Sequence, residues 1–313
     1  MPVLNRRSTP NADMVAEVLR QALVREVPEA RSVVSEPKRG RWLETCMNPA
    51  CHTGWMQMWR NRTVPVFESG WACSEGCMSA RVRQAVLRES KGRMEGRPPY
   101  QHRLPLGLLM LEQGWITAEQ LRGALESQRK HGAGRLGSWL VKQHGVSEEL
   151  VTRALALQWS CPVLTAQSLR QASPPALFVP RLFVDAFGVV PLRLAAGKVL
   201  YLGFEDRLDP VLARSIERMT SVRTECGVVT DSEFGRFHER ALRAQYPSVE
   251  LVETVNEEAL TRVLTRAIEK AKPVESRLVR VHEFLWLRMI HQAKEGAALE
   301  AGDIEDVICT IGG

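Results

Sequence analysis

The sequence predicts an α+β protein that is mainly helical, and three observations carry this prediction. Four of the cysteines cluster between residues 46 and 77, ahead of a basic helical segment. A stretch of 23 residues is duplicated at an offset of 30. Over residues 173–245, β-rich runs alternate with helical patterns. We therefore expect a tandem helix-turn-helix repeat packed with a small α+β subdomain, with an N-terminal cysteine module before them.

The composition is that of a globular protein. Of the 313 residues, 44% are hydrophobic and 25% are charged, which allows a buried core and suggests two or three domains. No run of about 18 apolar residues occurs, so we expect no membrane-spanning helix. The first residues lack the apolar core of a secretory signal, and seven cysteines without such a signal indicate a reducing, cytoplasmic location.

Shifts in composition and two Pro- and Gly-containing linkers divide the chain into five parts. The net charge of +6 lies entirely within the first 100 residues, which makes this part the candidate for binding an acidic partner. The expected parts are a loosely ordered N-terminal segment at 1–40, a cysteine module with a basic helix at 41–98, the tandem repeat at 101–172, the α+β subdomain at 173–245, and a C-terminal helical region with a mobile tail at 246–313.

The cysteine module carries the first candidate site. Cys46 and Cys51 form one close pair, and Cys73 and Cys77 form a second pair at the start of the basic helix. Two tight turns that each present two thiolates can supply the tetrahedral ligand set of a structural zinc ion. A module of this length builds only a small core, so a metal would stabilise it. His52 is an alternative ligand to Cys51, and four ordinary reduced cysteines remain the alternative to a metal site.

The duplicated sequence predicts two copies of a helix, a turn and a second helix. LGLLMLEQGWITAEQLRGALESQ at 106–128 aligns without gaps on LGSWLVKQHGVSEELVTRALALQ at 136–158. Thr117 and Ser147 occupy equivalent positions and are expected to cap the second helix of each copy. Gln120 follows Thr117 at the spacing of a capping box.

The segment after the repeat predicts alternating strands and helices. Val189–Leu194 and Lys198–Phe204 are expected to form a hairpin. Asp209 and Pro210 open a helix, Val222–Val229 predicts a third strand, and Asp231 is expected to cap the next helix. Further on, residues 256–272 predict a strong helix between Asn256 and Pro273. Residues 277–290 fit a strand and a helix equally well.

The second copy, RLGSWLVKQHGVSEELVTRALALQ at 135–158, resembles the nucleotide-binding repeat of the MshEN domain. That domain is the N-terminal part of GspE-type ATPases of type II secretion and type IV pilus assembly. The resemblance covers roughly residues 100–240 and implies binding of cyclic di-GMP by the two copies. In this sequence Pro105 replaces the first arginine of the pattern, and His144 replaces a turn glycine. The ligand residues it implies are Arg135, Leu136, Gly137, Gln158, Leu106, Gly107 and Gln128.

Motifs of catalysis are not found in the sequence. It contains no GxxxxGK[ST], GxSxG, HExxH or GxGxxG element, so we expect a protein that is not an enzyme. The favoured function is a sensor or adaptor of a secretion or pilus machinery, with cyclic di-GMP as its ligand and zinc as a structural cofactor. One alternative is a zinc-dependent nucleic-acid-binding regulator that uses the basic helix. The other is a protein–protein scaffold in which the repeat packs without a nucleotide.

Overall fold

The computed structural model describes residues 46–51, 64–68, 70–95, 103–165, 175–291 and 299–311. Every described residue belongs to one compact unit, Thr45–Gly313. The predictions for residues 1–40 and for His52 therefore lie outside the described residues. Within the described residues, no helix is long and apolar enough to cross a membrane.

The cysteine module consists of two short strands and one long helix. Strands β1 (Val66–Phe67) and β2 (Gly70–Trp71) pair antiparallel, and helix α1 (Glu75–Glu95) follows. The Ser74 hydroxyl accepts a hydrogen bond from the Cys77 N–H at the start of the helix. The buried apolar side chains on α1 recur at helical spacing and define the face that packs into the protein, and they are Met78, Val82, Ala85 and Val86.

The duplicated segment forms four helices. Each copy contributes one short and one longer helix, and Thr117 and Ser147 cap the longer ones, with a complete capping box at Thr117 and Gln120. These caps accept N–H groups that would otherwise lack a partner in the first helical turn. The helices are α2 (Leu106–Glu112), α3 (Ala118–His131), α4 (Leu136–His144) and α5 (Glu148–Trp159).

The α+β subdomain contains a three-stranded sheet of order β3-β4-β5. β3 and β4 pair antiparallel through a turn at Ala196 and Gly197, which both have positive φ as a type I′ hairpin requires. β4 and β5 pair parallel, and Thr230, not Asp231, caps the helix that follows β5. The elements are a 3-10 turn (Ala176–Phe178), α6 (Arg181–Phe187), β3 (Val189–Ala195), β4 (Val199–Phe204), α7 (Pro210–Thr220), β5 (Arg223–Val228) and α8 (Asp231–Leu242).

The C-terminal part corrects the expectation of a helical region with a mobile tail. It contains one helix and a four-stranded mixed sheet of order β6-β9-β8-β7. Residues 277–290 form most of a β-hairpin, and the last segment, expected to be mobile, lies between two strands of the sheet. The elements are β6 (Ser248–Thr254), α9 (Glu257–Ala271), β7 (Glu275–Val281), β8 (Phe284–Ile290), a 3-10 turn (Ala301–Asp303) and β9 (Ile304–Ile311).

A buried ion pair explains why the acidic final segment is ordered. Asp306 on β9 is fully buried and receives two hydrogen bonds of 2.8 Å from the guanidinium of Arg288 on β8. The indole N–H of Trp286 donates a third hydrogen bond to the same carboxylate. Because the carboxylate is paired and hydrogen-bonded, a charged side chain that would usually be exposed to solvent is accommodated within the sheet.

Three hydrophobic clusters hold these parts together. One face of the C-terminal sheet packs with α9 and with α1 of the cysteine module, and the other face packs with the α+β subdomain. The third cluster lies inside the tandem repeat and includes Val228 of β5. Residues 66–95 and 246–311 therefore share one core, although the repeat separates them in sequence.

Candidate functional site

The two copies of the repeat pack as a pseudo-symmetric pair. The second helix of each copy contacts the first helix of the other copy, so α3 lies on α4 and α5 lies on α2. Met110 and Leu140 occupy equivalent positions and are both fully buried between these helices. The candidate ligand residues lie where the two copies meet.

Gly107 and Gly137 allow the helices to approach closely. A Cβ atom on Gly137 would lie 2.6 Å from Cγ1 of Val151, and one on Gly107 would overlap the equivalent side chain, Leu121. Leu106 and Leu136 are half-buried beside the glycines and contact the core of the repeat. These four predicted site residues thus form the packing of the helix crossings.

Gln128 and Gln158 make equivalent hydrogen bonds at the two ends of the pair. The Gln128 amide donates to the Gly134 carbonyl at 2.8 Å, just before the second copy begins. The Gln158 amide donates to the Leu104 carbonyl at 2.7 Å, just before the first copy begins. The last helix of each copy is therefore tied to the start of the other copy.

Arg135 lies at the N-cap of α4 and faces three carboxylates. Its guanidinium is 2.5 Å from Glu205, 3.2 Å from Asp206 and 3.8 Å from Asp231. The hydrogen bond to Glu205 raises the pKa of Arg135, whereas burial and the neighbouring Glu205 carboxylate raise the pKa of Asp231. One positive charge thus meets three acidic groups, and this arginine joins the repeat to the α+β subdomain.

The segment 205–208, which we call the 205–208 loop, lies near the start of both copies. Glu205 and Asp206 bind Arg135 at the start of the second copy, while Leu208 packs against the repeat core. Near the start of the first copy, Arg103 stacks on Trp159, with its guanidinium carbon 3.3 Å from the ring centroid. Burial lowers the pKa of Arg103, and the nearby positive charge of Arg207 lowers it further.

The sequence alone does not reveal the acidic partners of Arg135. Glu205 lies 70 residues from Arg135, and no motif connects the two positions. Glu205 and Asp206 are adjacent acidic residues between a strand and a helix. Such pairs are common in solvent-exposed loops, so they do not by themselves indicate a partner for Arg135. Arg103, which lies two residues too early for the family pattern, stacks on the helix end that carries Gln158.

A separate surface cavity of about 470 Å³ lies between α6 and β6. Its lining includes Arg181, Asp185, Tyr246 and Leu251, and it contains none of the predicted site residues. Arg135 is exposed on the repeat, and Gln128 and Gln158 are half-buried.

The four cysteines of the module form a cluster that could hold a metal ion. The sulfur atoms of Cys46, Cys51, Cys73 and Cys77 all lie within 4.8 Å of one another. Without a metal, burial raises the pKa of the Cys46 thiol to about 11. The two cysteine pairs that the sequence singles out thus come together in the structure.

Two cations of the basic helix bind acceptors within the protein. Arg81 donates to the carbonyl oxygens of Gly70 and Glu68, and Arg88 forms a bidentate pair with the Glu68 carboxylate at 2.6 and 2.9 Å. Arg83 and Lys91 are exposed. The side chain of Arg93 lies outside the described residues. This use of Arg81 and Arg88 weakens the argument for a nucleic-acid interface on the helix.

A tandem repeat tied to an α+β subdomain is the architecture that the resemblance to GspE N-terminal domains predicts, and sequence relatives confirm that resemblance for part of the chain. The type IV pilus assembly ATPase PilB of Myxococcus xanthus is 27% identical over 145 residues, which is 46% of this chain and 25% of PilB. PilB of Thermus thermophilus is 34% identical over 116 residues, 37% of this chain and 13% of the relative. The chain thus spans a quarter or less of the length of these curated relatives. No protein-family model matches it.

Two solved structures are also similar. MshE, solved with cdg, is 23% identical, with a TM-score of 0.36 over 44% of this chain and 99% of that chain. The N-terminal domain of XpsE is 21% identical, with a TM-score of 0.32 over 43% of this chain and 92% of that chain.

Proposed function

We propose that this chain is a non-enzymatic sensor and adaptor of a type IV pilus or type II secretion machinery. The sequence similarity of part of the chain to pilus assembly ATPases is the observation that carries this proposal. The sequence holds no GxxxxGK[ST] element for the phosphates of ATP, so the proposed role is regulation and not ATP hydrolysis.

The proposed ligand is cyclic di-GMP, bound at the N-terminal ends of the two copies. Arg135 supplies a guanidinium that can pair with a phosphate and stack on guanine, and the repeat supplies Leu106 and Leu136 as apolar contacts for a base. Gln128 and Gln158 are amides at equivalent ends of the pair, which suits a ligand that is itself two-fold symmetric. This assignment rests on the resemblance of residues 135–158 to the family repeat.

The proposed response is an exchange of partners at Arg135. In this structure the guanidinium is neutralised by Glu205, Asp206 and Asp231, and a ligand phosphate would have to displace these carboxylates. Like charges repel, so bound phosphate would drive the 205–208 loop away from the repeat. We propose that this exchange is the conformational signal.

The 205–208 loop is connected to the C-terminal sheet, which gives the signal a route. It leads into Asp209, the N-cap of α7, whose carboxylate lies 2.5 Å from His282 in the turn between β7 and β8. A displaced loop would therefore act on α7 and on the hairpin. The turn of this hairpin, where Glu283 is exposed, is the proposed place where a partner detects the change.

Calorimetry on the full chain tests the ligand. We expect cyclic di-GMP to bind the wild type, and Arg135→Ala to weaken binding by about tenfold or more, as loss of a charged hydrogen bond implies. Glu205→Gln combined with Asp206→Asn should tighten binding, because the competing carboxylates are neutralised. Glu239→Gln, an exposed change on α8, is the control and should bind as the wild type does.

An absence of heat in the wild type and in the Glu205→Gln/Asp206→Asn variant, at millimolar ligand, would overturn cyclic di-GMP binding. The adaptor role has its own test, in which the purified chain is mixed with a purified type IV pilus assembly ATPase from the same genome. A complex on size-exclusion chromatography supports the role, and separate elution at concentrations of tens of micromolar would contradict it.

A scaffold without a nucleotide is the second candidate, and the geometry of the repeat favours it in one respect. Gln128, Gln158 and Arg135 all have partners within the protein. A scaffold of this kind would form the same ATPase complex with and without cyclic di-GMP. A complex whose affinity changes with the nucleotide favours the sensor.

A further inference from the structure

The four cysteines of the module are arranged at the spacing of a tetrahedral metal site. The sulfur atoms of Cys51 and Cys73 are 3.6 Å apart, and those of Cys73 and Cys77 are 3.5 Å apart. A zinc ion with Zn–S bonds of about 2.3 Å places its sulfur ligands about 3.8 Å from one another. A disulfide would need a separation of about 2.05 Å, and all four cysteines are reduced.

A few backbone hydrogen bonds orient the two cysteine pairs toward each other. The Cys51 N–H donates to the Asn48 carbonyl and closes the first turn, and the Met47 N–H donates to the Trp71 carbonyl. The Cys73 N–H points at the Cys46 sulfur, 3.4 Å away, as backbone donors do around bound thiolates. Two segments thus meet at the site, and the residues in this contact are 27 positions apart in the sequence.

The module lies against the β7 edge of the C-terminal sheet and is hydrogen-bonded to it. β7 is the last strand in the order β6-β9-β8-β7, and β1 lies beside it. The N–H groups of Val66 and Glu68 donate to the carbonyls of Pro273 and Ser276, at 2.9 and 2.8 Å. The Ser276 hydroxyl returns a hydrogen bond of 2.7 Å to the Val66 carbonyl. The module therefore covers the start of β7, at an edge of the sheet that would otherwise be free there.

The contact between β1 and β7 is made by a short segment, so a metal ion that stabilises the module would also stabilise this contact. β1 and β2 contain two residues each, and two-stranded ribbons of this size are not stable alone. Phe67 and α1 join the hydrophobic cluster of Leu278 and Leu287, but the cysteine-bearing turn is anchored by only a few hydrogen bonds among the described residues. Four thiolate–metal bonds would add most of the missing constraint.

We propose that Cys46, Cys51, Cys73 and Cys77 bind one Zn²⁺ ion, and that this ion holds β1 against the β7 edge of the C-terminal sheet. Four thiolates in a tetrahedron select zinc or iron among the common metals, and zinc requires no redox partner. All four ligands lie within the module, so the ion joins the turn at 46–51 to the segment at 73–77 and thereby fixes β1, which contacts β7. This proposal is independent of the ligand of the repeat.

Metal analysis of the full chain, purified without chelators and under reducing conditions, tests the first half of the proposal. We expect one equivalent of zinc, which Cys73→Ser removes and which Cys161→Ser, a cysteine outside the cluster, retains. Exchange of the wild-type metal for Co²⁺ should give the intense visible absorption of a tetrahedral tetrathiolate site, a readout that does not require a variant to fold. Iron in place of zinc, or less than half an equivalent after refolding with excess zinc, would overturn the assignment.

Hydrogen exchange before and after chelation tests the second half. We expect removal of zinc to speed exchange at the amides of Val66 and Glu68 and in β7 by at least tenfold, while the repeat at 106–159 stays protected. A zinc-bound chain whose β1 and β7 amides exchange at the same rate after chelation would refute the clamp.

Discussion

The repeat predicts the local environment of several single residues but not their charge partners. The repeat marked Gly107, Gly137, Gln128 and Gln158 as special positions, and the structure shows each pair in equivalent environments. The motif does not predict the surroundings of Arg135. The carboxylate that pairs with Arg135 belongs to the 205–208 loop, which is distant in sequence. A residue's type and spacing predict its local backbone and its helix face, whereas its charge partners depend on the tertiary fold.

Replacement of Gly137 by Ala should destabilise the protein, by about 1–3 kcal/mol, because a Cβ there would lie 2.6 Å from the stiff side chain of Val151. The matched control is Gly235→Ala in α8, where a Cβ meets nothing within 4 Å. That change should stabilise the protein by about 0.5–1 kcal/mol, since Ala is the better helix former. Urea denaturation measures both. A neutral or stabilising Gly137→Ala would contradict the close helix crossing.

The pair of His282 and Asp209 makes stability depend on pH. The hydrogen bond to Asp209 raises the pKa of His282 above 6.5, so its stabilising effect is complete below pH 6.5 and is lost as the pH rises through the folded-state pKa. His282→Asn suits the positive φ at this position and removes the charge.

Denaturation at about pH 6 and about pH 8 should show the wild type losing about 0.5–1 kcal/mol more than the His282→Asn variant over this range, a modest value because the pair is partly exposed. The same change at exposed His131 is the control. Equal pH dependence in wild type and His282→Asn would show that the pair contributes nothing.

Individual helices and strands were predicted where their signals are local. The hairpin of β3 and β4 and the helix from Pro210 carry turn and cap residues in the right order, and the structure has them there. β8 gives no such signal, because its interior positions are buried on both faces and its sequence lacks alternation. The acidic residues of β9 predict a mobile, solvent-exposed tail, whereas in the structure Asp306 is buried and paired with Arg288.

The two glutamine ties between the copies should contribute similarly to stability. Gln128→Ala and Gln158→Ala each remove one hydrogen bond to a carbonyl at the start of the other copy, and we expect each to cost about 0.5–1.5 kcal/mol. Gln143→Ala, an exposed change on α4, is the control and should stay within about 0.5 kcal/mol of the wild type. Thermal denaturation followed by circular dichroism gives the comparison. A cost at one position only would contradict the pseudo-symmetric arrangement.

At the scale of the whole molecule, segments far apart in sequence form one body. The module of residues 66–95 and the sheet of residues 246–311 share a hydrophobic cluster, which no local pattern predicts. Glu89 connects α1 with α7 and β7. Its side chain is 4% exposed, and its carboxylate binds Arg218 on α7 at 2.6 Å and the Arg280 N–H on β7 at 3.1 Å. Such contacts depend on the folded arrangement, so a division of the sequence into five parts captures its local patterns and misses this shared core.

Loss of the Glu89 carboxylate should destabilise the whole body. Burial alone would raise the pKa of Glu89, but hydrogen bonds from Arg218 and Arg88 outweigh it and lower the pKa below 4.5. Its contribution is therefore present above pH 4.5 and is lost as the pH falls through the folded-state pKa. We expect Glu89→Ala to cost about 2–3 kcal/mol near pH 7 in urea denaturation. Exposed Glu126→Ala is the control, and equal stability of the two variants would contradict the assigned role.

The central proposal is that cyclic di-GMP takes Arg135 from its carboxylate partners and releases the 205–208 loop. Hydrogen exchange over residues 205–212 of the full chain, with and without saturating cyclic di-GMP, tests this most directly. We expect faster exchange in the loop together with slower exchange in the first turns of α2 and α4. Unchanged exchange in all three segments, or a loop that becomes more protected, would contradict the proposal.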